Sequence, residues 1–269
     1  MFRSVARVTS VAAIAAVLFL LTGCGGAKKD KDETAGWSAE KMYTEARNNM
    51  SDGRWDQAIK LFEKLESRYP YGRYAQQAQL EEAYSYYKQG EAASTVSACE
   101  RFMRLHPNHP SVDYAYYLKG LANFNGDLGI FGNWTDQDQS ERDPKAARES
   151  FVAFKDLVEK FPNSKYSPDA IARMVYLSNF LAAHDVFAAK YYYRRGAYIA
   201  AANRAQEAIR KYPNAPSTED ALILMIRSYD ALGLKDLRND SIRVFKQNFP
   251  KIDYATKEIE TKEPWWKLW

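Results

Sequence analysis

The chain has 269 residues, a net charge of +4 from 38 Lys and Arg against 34 Asp and Glu, and 46% hydrophobic residues. That balance gives no strong basic excess, so nucleic acid is not expected as a partner, and the length suffices to bury a sizeable core. Two cysteines, Cys24 and Cys99, are too few for a disulfide framework.

The N-terminus comes first. Arg3 and Arg7 are the only charges before Cys24, and Val11 to Leu21 is an unbroken apolar run of eleven residues. A basic start, a short apolar core and then small residues is the layout of a secretory signal. As a helix, eleven residues rise about 17 Å, too short for a bilayer core of about 30 Å. Taken alone, Cys24 could be a partner for Cys99, a spare thiol or something else. Its setting, "LTGC" with small Thr22 and Gly23 in front, resembles the bacterial lipobox. That resemblance implies cleavage after residue 23 and a mature chain opening on Cys24, with S-diacylglycerol on the thiol and an acyl group on the new amine. Each buried CH₂ is worth about 0.8 kcal/mol, so three chains make release negligible. Gly25 follows the cysteine; in the sorting of Gram-negative lipoproteins a residue other than Asp there implies the outer membrane. Losing residues 1–23 removes two basic residues and no acid, so +4 becomes +2.

Residues 25–36, "GGAKKDKDETAG", hold no large apolar side chain and are expected to form, with Cys24, a tether over 24–36. Twelve residues span about 20 Å as a coil and about 40 Å when extended.

From Trp37 onward Ala, Leu, Lys, Arg, Glu and Gln dominate, without strand-like alternation. A basic or polar residue, an apolar or aromatic one and then Pro recur at Pro70, Pro107, Pro162, Pro213 and Pro250, and each Pro marks a helix end. Seventeen residues before each stand Gly53, Gly90, Lys145, Gly196 and Gly233, which suits a tight turn followed by a helix of about four turns. The prolines are 37, 55, 51 and 37 residues apart, so a 37-residue unit carries two insertions. A helix–turn–helix unit of this length is the tetratricopeptide (TPR) signature. The expected fold is therefore all-α: a TPR-like α-solenoid of about five units and about ten helices over 37–250. The units are placed at about 39–72, 76–109, 113–164, 168–215 and 219–250, and a C-terminal tail occupies 251–269.

Eight residues into each unit stand Ala46, Ala83, Gly120, Ala189 and Ile226, where small residues let helices approach. The eleventh position holds Asn49, Tyr86, Asn123, Tyr192 and Tyr229, with Tyr86 and Tyr192 expected in the core. Position 20 reads Ala58, Thr95, Ala201 and Arg238 in the uninterrupted units; Ile226 and Arg238 set the fifth unit apart. Cys99 aligns with Phe62 and Ile242 and reads as a small buried hydrophobe. The first insertion, 125–143, is rich in Gly, Asp and Asn. It is expected to be a loop ending at Asp143 as N-cap, with Pro144 opening the next helix. The second lengthens one helix to about 168–194, with Ser167 as its cap.

Catalytic signals are sparse. His106 and His109 lie three apart in "LHPNHP" with no third ligand nearby, and His184 stands elsewhere. Turn and capping roles fit the pair, and no metal is expected. "DQDQSE" from Asp136 has neither the Gly nor the Glu of a calcium loop, and Asn133 heads a bare glycosylation pattern. No phosphate loop and no nucleophile–base pattern appears, so neither an enzyme nor a cofactor is expected. Tyrosine stands out, with 19 residues clustered at 84–87, 114–117 and 191–193 on first helices. In a TPR solenoid these helices line the concave, peptide-receiving surface. Tyr offers large amphipathic contact area at low entropic cost. Tyr84, Tyr87, Tyr114 and Tyr117 are the candidate groove residues. The tail ends "KEPWWKLW", whose Trp265, Trp266 and Trp269 suit a membrane interface, a partner or a cap on the solenoid.

Four stretches, at 68–88, 101–121, 142–166 and 194–204, together with the lipobox and tether, resemble the BamD family of lipoproteins of the outer-membrane β-barrel assembly machinery. The resemblance implies an outer-membrane scaffold facing the periplasm. It implies binding to the periplasmic domain of BamA through the C-terminal repeats, where "RRGAYIAAANR" offers Arg194, Arg195 and Tyr198. It also implies docking of other assembly lipoproteins, and capture of the aromatic-ended C-terminal signal of unfolded outer-membrane proteins by the N-terminal repeats. The alternative is a TPR lipoprotein that pilots a secretin or pilus pore or organises cell-wall enzymes.

Overall fold

The computed structural model describes residues 32–128 and 143–257, and only the backbone of 125–128. The signal segment, Cys24, most of the tether, the greater part of the inserted loop and the three tail tryptophans lie outside the described residues. Among the described residues, those up to Ser38 and those from Ala39 belong to separate units. In the first, the end of the expected tether is a turn. Asp32 Oδ1 accepts from Thr34 N at 3.1 Å and from Thr34 Oγ1 at 2.7 Å, and the Asp32 carbonyl accepts from Ala35 N at 2.9 Å. Asp side chains favour such local capping.

The second unit holds ten helices among the described residues: α1 Ala39–Ser51, α2 Trp55–Arg68, α3 Arg73–Gln89, α4 Ala92–Leu105, α5 Val112–Leu128, α6 Lys145–Lys160, α7 Ser167–Arg194, α8 Tyr198–Lys211, α9 Thr218–Ala231 and α10 Lys235–Asn248. No strand occurs among the described residues. Each helix packs on the next, and α1 on α3, α3 on α5 and α7 on α9 pack as well. Five antiparallel pairs thus stack with their first helices forming an inner row. Between α5 and α7 long side chains make the link: Tyr117 Oη donates to Asp169 Oδ2 at 2.7 Å, and the Phe124 ring meets Tyr176 at 5.7 Å.

The repeat register has physical causes. Gly53, Gly90, Gly196 and Gly233 have φ of 74°, 80°, 75° and 72°, a left-handed backbone that side chains disfavour. The helices that follow them, α2, α4, α8 and α10, each have 14 residues, about 21 Å at 1.5 Å per residue. Phe62, Cys99, Phe154 and Ala205 occupy one repeat position and are each 0% exposed. A fully buried Phe contributes about 1.5–3 kcal/mol. Burial also pushes the Cys99 thiol up to about 12. The small-residue column is buried throughout: Ala46, Ala83 and Ala189 at 0% exposure and Ile226 at 3%, with Gly120 buried beside Phe154.

Several expectations need correction. Ser167 does not cap α7: it is the helix's first residue and donates through Oγ to the Phe161 carbonyl at 2.8 Å. Asp143 Oδ1 accepts from Lys145 N at 3.0 Å, so the carboxylate does cap α6, but Pro144 is the boundary residue and not the first helical one. Ile242 is half-buried, and Phe245 at 0% exposure fills the last pair's core. Tyr86 and Tyr192 are half-buried too. Tyr86 Oη reaches out to Glu63 Oε1 at 3.3 Å, the behaviour of a ring with a polar tip.

Candidate peptide-binding groove

A cleft of about 790 Å³ runs along the inner row over the first three helix pairs. Tyr43 of α1, Leu80, Glu81 and Tyr84 of α3, and Asp113 and Tyr114 of α5 form its floor, and the turns at 109–111 and 163–166 form its rim. Several of these side chains are held by partners. Glu81 pairs with Arg47, bridging α3 to α1. Tyr43 lies beside Tyr74 at 5.6 Å, and burial, with the Glu81 charge, raises its phenol above the ordinary value. Tyr84 meets the edge of Trp55 at 6.0 Å.

The third tyrosine is held by a relay. Ser164 Oγ donates to Asp113 Oδ2 at 2.7 Å and accepts from Tyr166 N at 3.2 Å. The rim turn is thereby tied to the first turn of α5, which sets the Tyr166 ring 5.4 Å from Tyr114. Burial, and then Tyr166, raise the Tyr114 phenol well above its usual range. With their phenols raised, Tyr43 and Tyr114 stay neutral at physiological pH. Such a surface offers ring faces and edges to an incoming aromatic side chain and O–H groups to main-chain carbonyls.

Of the four tyrosines expected in a groove, the structure brings Tyr84 and Tyr114 together in it. Tyr87 is not among the lining residues; it packs on the core formed by α3, α4 and α5. Tyr117 stacks on Tyr166 at 4.7 Å with 16° between ring planes, and burial and the Asp169 hydrogen bond push its phenol up to about 12. It braces the rim from outside the cleft. Two lining tyrosines went unnoticed in the sequence. Tyr43 falls three residues before the small residue Ala46, where Leu80 stands before Ala83, so the repeat register held the signal. Tyr166 sits in a turn, and only tertiary contacts reveal it.

The remaining candidates lie elsewhere. Arg194 and Arg195 are exposed at the end of α7, with the Arg195 guanidinium over the Tyr191 ring at 5.4 Å. Tyr198 is half-buried against Tyr193 at 5.4 Å. His106 and His109 flank a turn: His106 Nε2 bonds to Gln79 Oε1 at 2.9 Å, and His109 Nδ1 accepts from Ser111 N at 3.1 Å. Among the described residues no helix is long and apolar enough to cross a membrane.

A family model described as "YfiO: Outer membrane lipoprotein" matches residues 36–244, the whole helical array up to α10. The chain belongs to this family. Its curated relatives include a protein of Neisseria meningitidis serogroup A, 47% identical over 246 residues that cover 91% of this chain and 92% of the relative. One from Vibrio cholerae is 37% identical, covering 81% and 90%, and one from Xylella fastidiosa is 36% identical, covering 89% and 82%. All three are named "Outer membrane protein assembly factor BamD". The groove lies wholly within the stretch matched by the outer membrane lipoprotein family.

Proposed function

We propose that this chain is an outer-membrane lipoprotein scaffold that helps assemble and insert β-barrel proteins into that membrane. Its fold faces the periplasm, and Cys24 carries the N-acyl and S-diacylglycerol anchor. The observation that carries this reading is the family match over residues 36–244, joined to relatives named as outer membrane protein assembly factors. The scaffold acts by binding and not by catalysis.

The groove supplies a place for one ligand. Its tyrosines, Tyr84 and Tyr114 with Tyr43 and Tyr166, receive the aromatic-ended C-terminal segment of an unfolded barrel protein. A second surface meets the periplasmic domain of BamA, the barrel-forming subunit, through Arg194, Arg195 and Tyr198, and other assembly lipoproteins dock besides. Exposed Arg194 and Arg195 beside the half-buried Tyr198, at the turn between α7 and α8, suit such an interface. Affinity purification of the tagged chain from solubilised outer membrane tests the assignment. BamA in the eluate is the expected result; an eluate holding a secretin and no BamA would transfer the protein to the piloting class.

A further inference from the structure

The last described residues do not trail off. After α10 the chain turns at Pro250, with Ile252 N donating to the Phe249 carbonyl at 3.2 Å. Asp253 then opens a single helical turn: its Oδ1 accepts from Ala255 N at 2.9 Å and its carbonyl from Lys257 N at 3.3 Å. In the three preceding pairs a first helix begins five residues after the proline: Val112 after Pro107, Ser167 after Pro162 and Thr218 after Pro213. Five residues after Pro250 is Ala255, inside this turn. The chain has therefore placed one turn of itself where a further repeat would begin.

The face that receives the turn is specific. The Tyr254 ring meets the edge of Phe245 of α10 at 5.9 Å. Arg227 Nη2 of α9 donates to the main-chain carbonyls of Tyr254, at 3.5 Å, and of Lys257. The Lys257 ammonium pairs with Glu219 and, at 3.4 Å, with Asp220, whose other partner is Lys190 of α7 at 2.7 Å. An aromatic side chain, two carbonyls and a lysine three residues after the aromatic are thus each read by a separate group on the protein. The hold is nevertheless weak. One helical turn is marginal by itself, and partly exposed ion pairs contribute little each. The Lys257 side chain retains 35% exposure and those of Glu219 and Asp220 retain 17% and 25%.

We propose that Arg227, Glu219, Asp220 and Phe245 form an end-docking site for a helical turn of the pattern aromatic-x-x-Lys, and that residues 253–257 are its exchangeable resident ligand. An incoming peptide of the same chemistry competes with the chain's own turn. The proposal is independent of the assembly reading and of the inner groove. A resident ligand that occupies its site most of the time lowers the apparent affinity for a competitor by the fraction of time the site is open.

The test uses full-length protein and a fluorescent synthetic peptide with the sequence of residues 250–263. In the Tyr254→Ala/Lys257→Glu protein the resident turn is released while the site is intact, and anisotropy should show peptide binding at least about tenfold tighter than in wild type. Adding Arg227→Ala to that protein should abolish the gain. Lys257→Gln alone, a milder change, should tighten binding by an intermediate factor, and circular dichroism should report unchanged helicity in all three. Equal binding to wild type and released protein, or no binding to either released variant, would overturn the proposal and leave the turn as a fixed end cap.

Discussion

Gly120→Ala is a sharp test of the repeat packing. A methyl group built on Gly120 would lie 2.4 Å from Cε1 of Phe154, 2.6 Å from Cδ1 and 2.8 Å from Cζ. Carbon atoms pack at about 3.5–4.0 Å, so the ring or the helix must shift by about 1 Å. The ring has little freedom: Phe154 is 0% exposed, with Tyr117 at 6.0 Å and Phe124 at 6.4 Å. The helices are also tied where they cross, by Ser150 Oγ donating to the Gly120 carbonyl at 2.9 Å. Overpacking of this kind costs about 1–3 kcal/mol. Replacing a helical Gly by Ala returns up to about 1 kcal/mol of propensity, leaving a net loss of about 1–2 kcal/mol. For a fold of this size that lowers Tm by about 2–8 °C, measurable by circular dichroism. Phe154→Leu in the same background should recover part of the loss, since a smaller side chain vacates the contested space. A Gly120→Ala protein as stable as wild type, or more so, would refute the claim that the crossing of α5 and α6 demands a glycine.

The other predictions rest on different links. Tyr84→Ala or Tyr114→Ala should weaken binding of a barrel C-terminal peptide several-fold with helicity unchanged, while Tyr87→Ala should leave affinity near wild type; a larger effect from Tyr87 would misplace the groove. Glu82 is 5% exposed, and burial, aided by a hydrogen bond to Glu66 and opposed by Arg101, lifts its carboxyl to about 8 from an ordinary 4.5. A raised carboxyl favours folding when protonated, so stability should fall as pH rises from about 4.5 to about 8, and Glu82→Gln should flatten that slope in denaturant titrations. Cys99 should resist thiol reagents in the native protein and react on unfolding, since its thiol is buried and held up to about 12. Cys24→Ala should shift the protein to the soluble fraction when no partner is present; continued sedimentation with outer membrane would move the anchoring role to the Trp-rich tail.

Helix order was legible because glycine and proline punctuate this chain with a fixed spacing, and both residues act through local backbone physics. The long α7 was legible for the same reason, since nothing breaks the stretch between Pro168 and Gly196. Cap chemistry was less so. Ser167 looked like a cap from its place before Pro168, yet its hydroxyl found a nearer acceptor in the Phe161 carbonyl, which only the folded turn presents. The groove was half legible. Helical periodicity put tyrosines on the first helices, but which of two neighbours faces the cleft depends on the rotation of each helix against its partners. Tyr84 and Tyr87 are three residues apart on α3 and both pack on the core shared with α4 and α5, yet only Tyr84 lines the cleft.

The inner row changes chemistry along its length, and that change bears on how the scaffold divides its work. The residue following each small position is Arg47, Tyr84, Leu121, Lys190 and Arg227 in turn. In the second pair it is an aromatic ring lining an open cleft. In the first, fourth and fifth pairs it is a cation engaged with the protein itself: Arg47 with Glu81, Lys190 with Asp220, and Arg227 with the carbonyls of the C-terminal turn. A cation that must hold a buried or half-buried partner is costly to redirect toward a ligand, because the group it leaves stays desolvated and unpaired. Asp220 illustrates the point, since burial alone would raise its carboxyl, yet Lys190 and Lys257 hold it below the usual carboxylate range. Uncharged rings impose no such penalty, and Tyr43, Tyr84 and Tyr114 supply them to the open cleft of the first three pairs. Exchanging Lys190 for Tyr should therefore not extend the groove. It should instead leave Asp220 with Lys257 as its remaining cation, unlink α7 from α9 at that point and raise hydrogen exchange of α9, while the affinity of the inner cleft for an aromatic-ended peptide stays unchanged; a gain in that affinity would show the two ends to be one surface.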